Sequence, residues 1–309
     1  MTFEYHRLNR SWPKSAWWKP LITGLIAFVF YAVFTLALAV PVLAAVVFSE
    51  NPHPAFERLV EEAVIDTSDP LMLAFALVSI ALMLPSIILA TLIMGPRPLG
   101  LLSSVAGHLR WRWMLRLLGP VLAVYLAVFS IGFLLVPLLS GGAAVVPEWG
   151  ADSLALIVVA LLLVPVQATA EEYVFRGYLM QTIGTWLKHP AWAILLPVPL
   201  FVVGHIYDVW GLLDVAVFGI FAGWITWRTG GLEAAIVAHV LNNTLLYLLS
   251  AVGVVDASTT EGSPVGVAMT VVMVTLFGWW VVALQRRHGI ARTREIERDP
   301  APELVDAQP

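Results

Sequence analysis

Hydrophobic residues in this chain form long runs separated by short polar segments. A helix needs roughly 20 apolar residues, at about 1.5 Å each, to cross a bilayer. The pattern therefore predicts an all-α, polytopic membrane helical bundle with about eight transmembrane helices. The apolar runs cover approximately residues 21–48, 71–94, 118–139, 153–187, 191–207, 211–228, 232–251 and 265–284.

The fourth run, residues 153–187, is too long for one simple span. As a continuous helix it would measure about 50 Å. Because proline lacks a backbone N–H, we expect this helix to bend near Pro165, or its ends to leave the membrane.

Charged residues in the connecting segments separate by sign. With the N-terminus inside, the segments on that side are rich in Lys and Arg, and the opposite segments are acidic, with Arg58 as their one basic residue. Cytoplasmic loops carry an excess of Lys and Arg, so both termini are predicted to be cytoplasmic in a multi-pass protein of the cell membrane. Two cytoplasmic termini require an even number of spans, which supports eight.

Composition excludes several kinds of chemistry. Hydrophobic residues make up 60% of the chain and charged residues 12%, where a soluble domain carries roughly a quarter charged residues. The chain has no cysteine, which excludes disulfides, thiolate nucleophiles and cysteine zinc sites. Its net charge of -4 does not indicate a nucleic-acid partner. We expect membrane lipids as partners, and no nucleic acid.

The same patterns divide the chain into five regions. A helix at the membrane interface is predicted near 100–117, where Leu and Trp mix with three Arg residues. The regions are a cytoplasmic segment at 1–20, an N-terminal transmembrane region at 21–150, a catalytic core at 151–251, the last transmembrane helix at 252–288 and a disordered cytoplasmic tail at 289–309.

Polar side chains inside the spans are concentrated in the fourth, fifth and seventh runs. Charged groups in a bilayer core cost several kcal/mol, so they are rare and usually functional. These candidate site residues are Glu171, Glu172, Arg176, His205, His239 and Asn243.

Helical spacing separates the roles of the two glutamates. Glu172 and Arg176 are four residues apart, so they share a helix face and can form an ion pair that lowers the cost of burying both. Glu171 lies about 100° further around the helix. One carboxylate is therefore structural, and the other is free to act as a general base.

His239 and Asn243 also share a helix face. Both donate hydrogen bonds, which suits them to stabilising an oxyanion on a carbonyl group. His205 is expected to assist Glu171, because a hairpin of the fourth and fifth runs places the two at equal depth, about 24 Å from the turn. The same simple geometry leaves His239 shallower, about 14 Å from its own turn. Tilt, or a break in the helix near Glu171, is therefore expected to close that gap.

Three motifs occur in order on successive hydrophobic segments: Glu-Glu-x-x-x-Arg at 171–176, Phe-x-x-x-His at 201–205 and His-x-x-x-Asn at 239–243. Together they resemble the CPBP family of CAAX proteases and bacteriocin-processing enzymes, also called Abi, which includes type II CAAX prenyl endopeptidases. The resemblance covers about residues 153–250. Each motif alone is weak, but their order and their location inside spans make the combination strong.

The resemblance implies an intramembrane endopeptidase, a CAAX-type hydrolase. Its substrates would be membrane-associated peptides or proteins, including lipidated ones, cleaved within or near the cytoplasmic leaflet. The implied roles are water activation by Glu171 and His205, an oxyanion site formed by His239 and Asn243, and structural support from Glu172 and Arg176.

The same family is sometimes described as metal-dependent. The sequence has no His-Glu-x-x-His zinc motif, and we expect neither a metal nor another cofactor. Two other functions stay open: a catalytically silent member acting as an immunity or scaffold protein, and a transporter. A transporter is expected to show repeated halves, and no internal repeat is visible in the sequence.

Overall fold

The computed structural model describes residues 1–63, 65–135, 138, 146–256 and 259–296. Helices form nearly all of its regular structure, and the described strands are Thr2–Glu4 (β1) and Thr293–Glu295 (β2). The described α-helices are α1 (Lys19–Phe48), α2 (Pro54–Glu62), α3 (Pro70–Ala81), α4 (Met83–Met94), α5 (Trp111–Ser130), α6 (Ser153–Glu172), α7 (Met180–Trp186), α8 (Pro190–Leu195), α9 (Val198–Val203), α10 (Val209–Thr229), α11 (Glu233–Ala251) and α12 (Pro264–His288).

Seven helical stretches of the described chain are long and apolar enough to cross a membrane. This confirms the predicted polytopic helical bundle. The fourth stretch runs without interruption from Ser153 to Trp186. It continues through Pro165, and its hydrogen bonding changes instead in a π-helical segment, Tyr173–Leu179. Such wide turns occur mostly at functional sites.

The predicted fifth span, 191–207, differs from a full spanning helix. It contains α8 and α9, of six residues each. The stretch Pro190–Val203 would be about 21 Å long as a helix, shorter than the roughly 30 Å hydrocarbon core. Pro197 and Pro199 both lie at this break, and proline has no N–H to continue a helix.

The two ends of this broken segment nevertheless lie at opposite faces of the bundle. Before it, the carbonyl oxygen of Lys188 is hydrogen-bonded to His6 of the N-terminal segment. After it, Asp208 donates its N–H to the carbonyl of Thr260, in the connection between α11 and α12. The chain therefore makes an eighth pass here, in addition to the seven long helices.

The first and last residues that the structure describes, Met1 and Ile296, lie together on one face, in agreement with an even number of passes between them. Strand β1 pairs antiparallel with β2, and the amino group of Met1 donates to the carbonyl of Ile296 at 2.8 Å. The predicted disorder of the tail is therefore wrong for residues 289–296, because strand pairing satisfies the backbone there. The remainder of the predicted tail, 297–309, lies outside the described residues.

A terminal cap, made of residues 1–11 and 290–296, covers this face. Its 3₁₀ helix, Tyr5–Ser11, follows β1. Tyr5, His6 and Leu8 are completely buried, and the Tyr5 hydroxyl donates to the carbonyl of Leu102. The N-terminal segment is therefore part of the packed structure.

Residues 100–117 do not form the separate interfacial helix that their composition predicts. Leu99–Leu102 is a 3₁₀ turn, and α5 begins at Trp111. Between them, Val105 donates its N–H to the carbonyl of Gly230 at 2.9 Å, and Ser103 accepts from the N–H of Leu232. These bonds hold the segment against the turn between α10 and α11 instead of along the membrane surface.

The largest hydrophobic cluster joins α5, α10, α11 and α12, and it includes Tyr125, Ile225, Ala235 and Phe277. Helix α11 also packs along α6. This contact brings the polar residues of the fourth and seventh predicted runs together.

Candidate active site

Helix α6 ends with two buried glutamates. Glu172 is fully inaccessible to solvent, and Glu171 is 8% exposed. Gln167, one helical turn earlier, donates from Nε2 to Oε2 of Glu171 at 2.6 Å. The motif analysis missed Gln167, although its four-residue spacing from Glu171 predicts this contact. Glu171 is therefore held in place through one of its two oxygens.

Glu172 forms the ion pair with Arg176 that the spacing predicts, with 2.9 Å between Oε1 and Nη1. Arg176 also donates from Nη2 to the carbonyl of Gly219 at 3.2 Å. Its guanidinium lies 4.3 Å from the ring centroid of Phe201. A carboxylate, a carbonyl and an aromatic face thus surround this buried cation, as its desolvation requires.

His239 lies between the two glutamates. Its Nδ1 is 2.7 Å from Oε1 of Glu172, and its Nε2 is 3.4 Å from Oε2 of Glu171. Both ring nitrogens therefore face a carboxylate oxygen, so a proton on either one has an acceptor. The ring also packs edge-on against Phe218, with centroids 5.0 Å apart.

The structure closes the gap in depth that the simple hairpin geometry leaves between His239 and Glu171. The simple hairpin geometry counts the depth of each side chain from the nearest turn in the chain. It assumes that both turns lie at the membrane surface. The turn between α10 and α11 instead reaches into the bundle, where a Cβ on Gly177 would lie 3.6 Å from Leu232. Leu232 precedes His239 by seven residues and Gly177 follows Glu171 by six, so the two side chains meet at one depth.

His205 follows α9 at the break in the fifth predicted span. Its Nδ1 is 2.8 Å from the carbonyl oxygen of Phe201. Its ring lies 4.9 Å from the ring of Phe201 and 5.9 Å from that of Tyr207. Within the described residues, no hydrogen bond or ion pair joins His205 to Glu171. A straight hairpin predicts that Glu171 faces His205. Because the helix is broken, the partners of Glu171 are Gln167 and His239 instead.

Asn243 lies one turn after His239 on α11, beside Asn242. The Asn242 amide donates to Oδ1 of Asn243 at 3.2 Å. Both asparagines line the cavity described next, so the structure brings a second amide to the predicted oxyanion residues.

A cavity of about 550 Å³ contains the two histidines and the two asparagines in its wall. Glu171 and Gln167 lie behind that wall, and Glu171 reaches it at His239. Further lining residues that the motif analysis missed are Tyr207, Asp214 and Tyr247. Tyr247 follows Asn243 by four residues on α11, so its helical spacing was an available signal. Tyr207 and Asp214 come from other segments, and no helical spacing relates them to the motifs.

A second buried ion pair, away from this cavity, was also missed. Glu233 is completely buried at the start of α11. Arg110 donates from Nη2 to its Oε2 at 2.7 Å and from Nε to its Oε1 at 2.9 Å. The position of Glu233 at the edge of an apolar run was the signal in the sequence that could have identified it. Its partner, Arg110, lies far away in the sequence.

Among the described residues, no group of three or more His, Cys, Asp or Glu side chains has an arrangement that could hold a metal ion. The polar cluster consists of an arginine, two carboxylates and one histidine between them. In this cluster the arginine supplies the positive charge that balances the buried carboxylates.

Comparisons with known proteins agree with the motifs. Residues 152–245 match the family model described as type II CAAX prenyl endopeptidase Rce1-like. The uncharacterized protein YyaK of Bacillus subtilis (strain 168) is 29% identical over 274 residues, which cover 82% of this chain and 84% of YyaK. No solved structure shows significant similarity to the chain. The resemblance predicted from the three motifs is thus confirmed: residues 152–245, which carry every candidate site residue, are similar to the Rce1-like family of type II CAAX prenyl endopeptidases.

Proposed function

We propose that this protein is an intramembrane endopeptidase that hydrolyses peptide bonds of membrane-associated peptides or proteins. The family match supports a CAAX-type protease. The observation that carries the proposal is the position of His239, between Glu171 and Glu172 and in the wall of a cavity that also contains His205 and Asn243.

In the proposed reaction, a water molecule attacks the carbonyl carbon of the scissile peptide bond. Glu171 accepts a proton from this water as the new C–O bond forms. Gln167 holds the carboxylate in place. His205, in the cavity wall, orients the same water. With Nδ1 donating to the Phe201 carbonyl, its Nε2 is the nitrogen that accepts a hydrogen bond.

The carbonyl oxygen becomes an oxyanion as the tetrahedral intermediate forms. We assign its stabilisation to His239 and Asn243, which lie one turn apart on α11. Glu172 accepts from Nδ1 and so fixes the imidazole ring, and Arg176 neutralises Glu172. In this role His239 is the imidazolium, because its Nε2 must also carry a proton to donate to the oxyanion. The C–N bond then breaks, and the leaving amine takes the proton held by Glu171.

We further propose that hydrolysis needs no metal. Purified enzyme should cleave at the same rate before and after treatment with a strong chelator. Strict dependence on added Zn²⁺ would contradict this part of the mechanism and leave the site assignment open to revision.

The experiment that tests the proposal incubates the purified protein with a labelled peptide library. The Glu171→Gln and His205→Ala variants should lose activity by about 10²-fold or more, the range for general acid–base groups. Glu61→Gln, on the exposed surface of α2, is the matched control and should cleave like the wild type. Equal cleavage by all proteins, or no cleavage by a folded wild type, would refute the protease function.

A catalytically silent scaffold or immunity protein is the second candidate. It is favoured by one observation, the lack of a direct contact between Glu171 and His205 in the described chain. The same library decides between the two functions, because a silent protein yields no products at any concentration.

A further inference from the structure

The mouth of the active-site cavity lies at the face opposite the terminal cap. Part of its wall comes from the connection between α11 and α12, including Val255, Thr259 and Glu261. Helix α11 begins at Glu233, next to Arg110 under the cap, and α12 returns to the cap just before β2. Their connection must therefore be at the far face, and so is the cavity mouth.

Hydrogen bonds fix the rim of this mouth. Oδ1 of Asp208 accepts from the N–H of Gly211 at 2.8 Å and from the N–H of Gly262 at 2.9 Å. Asp208 also donates its own N–H to the carbonyl of Thr260 at 2.8 Å. These three bonds tie the two segments that border the mouth together, so the opening is a built feature of the fold.

The route from the cap face to the site is filled with apolar side chains. Tyr5 and Leu8 of the cap pack with Met180, Leu232 and Ile236 in one buried cluster. All five are at most 1% exposed. This cluster lies between the cap and His239, which follows Ile236 on α11 by less than one turn. In the part of the chain that the structure describes, this packed cluster blocks the direct route from the cap face to His239.

The charges of the described residues differ sharply between these faces. On the face with the cavity mouth, Arg58 is the one described basic residue among many acidic ones. Cytoplasmic segments carry the excess of Lys and Arg, which makes the cap face cytoplasmic. The basic residues on the cap face are Arg7, Arg10, Lys14, Lys19, Arg97, Arg110, Arg112, Arg116, Lys188, Arg228, Arg286, Arg287, Arg292 and Arg294.

From these observations we infer that the catalytic cavity opens to the extracytoplasmic side, and that the substrates are extracytoplasmic segments of membrane-associated peptides or proteins. This inference rests on the proposed hydrolytic function. It differs from the expectation of cleavage in the cytoplasmic leaflet, and it makes cytosolic C-terminal tails inaccessible to the site.

Because the chain has no cysteine, single cysteines can report which face each residue occupies. Thr259→Cys and Glu261→Cys mark the mouth, and Arg287→Cys, exposed at the end of α12, marks the cap face. In intact cells, a membrane-impermeant maleimide should label both mouth variants. It should label Arg287→Cys only after the cells have been permeabilised. Mouth labelling that requires permeabilisation, or labelling of Arg287→Cys in intact cells, overturns the inference.

A cysteine deeper in the cavity tests whether the opening reaches the site. Leu246→Cys lies in the cavity wall on α11, and Leu276→Cys on α12 is the matched control because its side chain is 48% exposed on a span that faces lipid. A small charged thiol reagent, added to intact cells, should modify Leu246→Cys and leave Leu276→Cys unmodified. Protection of Leu246→Cys in intact cells, with modification in inside-out vesicles, would place the opening on the cytoplasmic side.

The position of the cleaved bond separates this inference from the proposed function. A peptide that the purified protein cleaves is fused to either side of a single-span anchor. We expect loss of the external reporter and survival of the internal one. Cleavage of the internal reporter contradicts the inference and preserves the protease function. Outward labelling, together with no cleavage of any library peptide by the folded purified protein, contradicts the protease function and preserves the cavity's orientation.

Discussion

Two buried glutamate–arginine pairs adjoin α11, one at its first residue, Glu233, and one beside His239, and their hydrogen bonding differs. Glu233, near the terminal cap, uses both oxygens for Arg110, which approaches through its side chain and through its own backbone N–H. Glu172 receives Arg176 and His239 on the same oxygen, Oε1. Its Oε2 is buried and accepts no hydrogen bond from any residue that the structure describes.

The difference indicates two kinds of task. A fully bonded ion pair such as Arg110–Glu233 fixes one arrangement of the segments that it joins. A carboxylate that holds a histidine and keeps one oxygen unbonded is costly, and such incomplete bonding in a native protein calls for a functional explanation. Glu172 is therefore expected to affect the reaction, and Glu233 the stability.

The largest expected effect is on activity when Glu172 is changed to Gln. The amide no longer offers the His239 imidazole a charged acceptor, and misorientation of a catalytic histidine in this way costs on the order of 10³-fold or more. We expect kcat to fall by that factor, with a shifted pH–rate profile. Because Glu172→Gln also leaves buried Arg176 without its charge partner, some loss of folded protein is expected as well. A purely structural role would show that loss alone, with an unchanged pH–rate profile for the protein that remains folded.

The matched change at the other pair, Glu233→Gln, should act on stability. It leaves Arg110 without its charge partner, and breaking a buried pair costs about 3–5 kcal/mol. Unfolding of the purified protein in detergent should shift accordingly, and the activity per folded molecule should be retained. Loss of catalysis at unchanged stability would mean that the two pairs do not differ in the way described.

The two adjacent asparagines provide the next comparison. Asn243→Ala should lower kcat by about 10²–10³-fold if its amide stabilises the oxyanion. Asn242→Ala removes the neighbouring amide, which donates to Asn243, and should have a smaller effect. A larger loss from Asn242→Ala would transfer the oxyanion role to that residue.

Replacing Gln167 with Leu should have an intermediate effect. The substitution removes the 2.6 Å hydrogen bond to Glu171, and bonds to charged groups contribute roughly 1.5–3 kcal/mol. We expect a loss of roughly tenfold or somewhat more in kcat/KM. Gln167→Glu is the stronger test, because it replaces the hydrogen-bond donor beside Glu171 with a second carboxylate, which repels Glu171. Unchanged activity in both variants would exclude a positioning role for Gln167.

The smallest effect is expected in the cap. Burial lowers the pKa of His6 from its usual value of 6.5, against the raising effect of the Lys188 carbonyl. The folded state therefore binds the proton less readily than the unfolded state, so stability is highest above pH 6.5 and falls as the pH decreases below it. Thermal unfolding from pH 8 to 5 should show a steeper decline for the wild type than for His6→Gln. Identical declines would exclude His6 as the cause.

Local spacing was enough to predict the apolar helices and the Glu172–Arg176 pair, because both depend on the repeat of a single helix. The Gln167–Glu171 bond belongs to the same class and was accessible in principle. The position of His239 could not be predicted in this way, because it depends on how deep in the bundle the turn before α11 lies. That depth is set by Leu232 donating to the carbonyl of Ser103, a contact between distant segments.

The broken fifth span had a visible local cause, in Pro197 and Pro199, but its consequence was not predictable. A straight hairpin aligns Glu171 with His205, whereas the short helices α8 and α9 place His205 against Phe201 and Tyr207. The Arg110–Glu233 pair also joins residues that no sequence period relates. Tertiary contacts of this kind determine how the site residues are arranged, once the helices themselves are given.

Pairing of β1 with β2 has a consequence for the order of assembly during synthesis. The first strand leaves the ribosome well before its partner, Thr293–Glu295, because all seven long helices lie between the two strands in the sequence. Early helices therefore enter the membrane while Tyr5 and Leu8 still lack their final neighbours. The face covered by the terminal cap is therefore completed late, when the second strand becomes available to pair with the first.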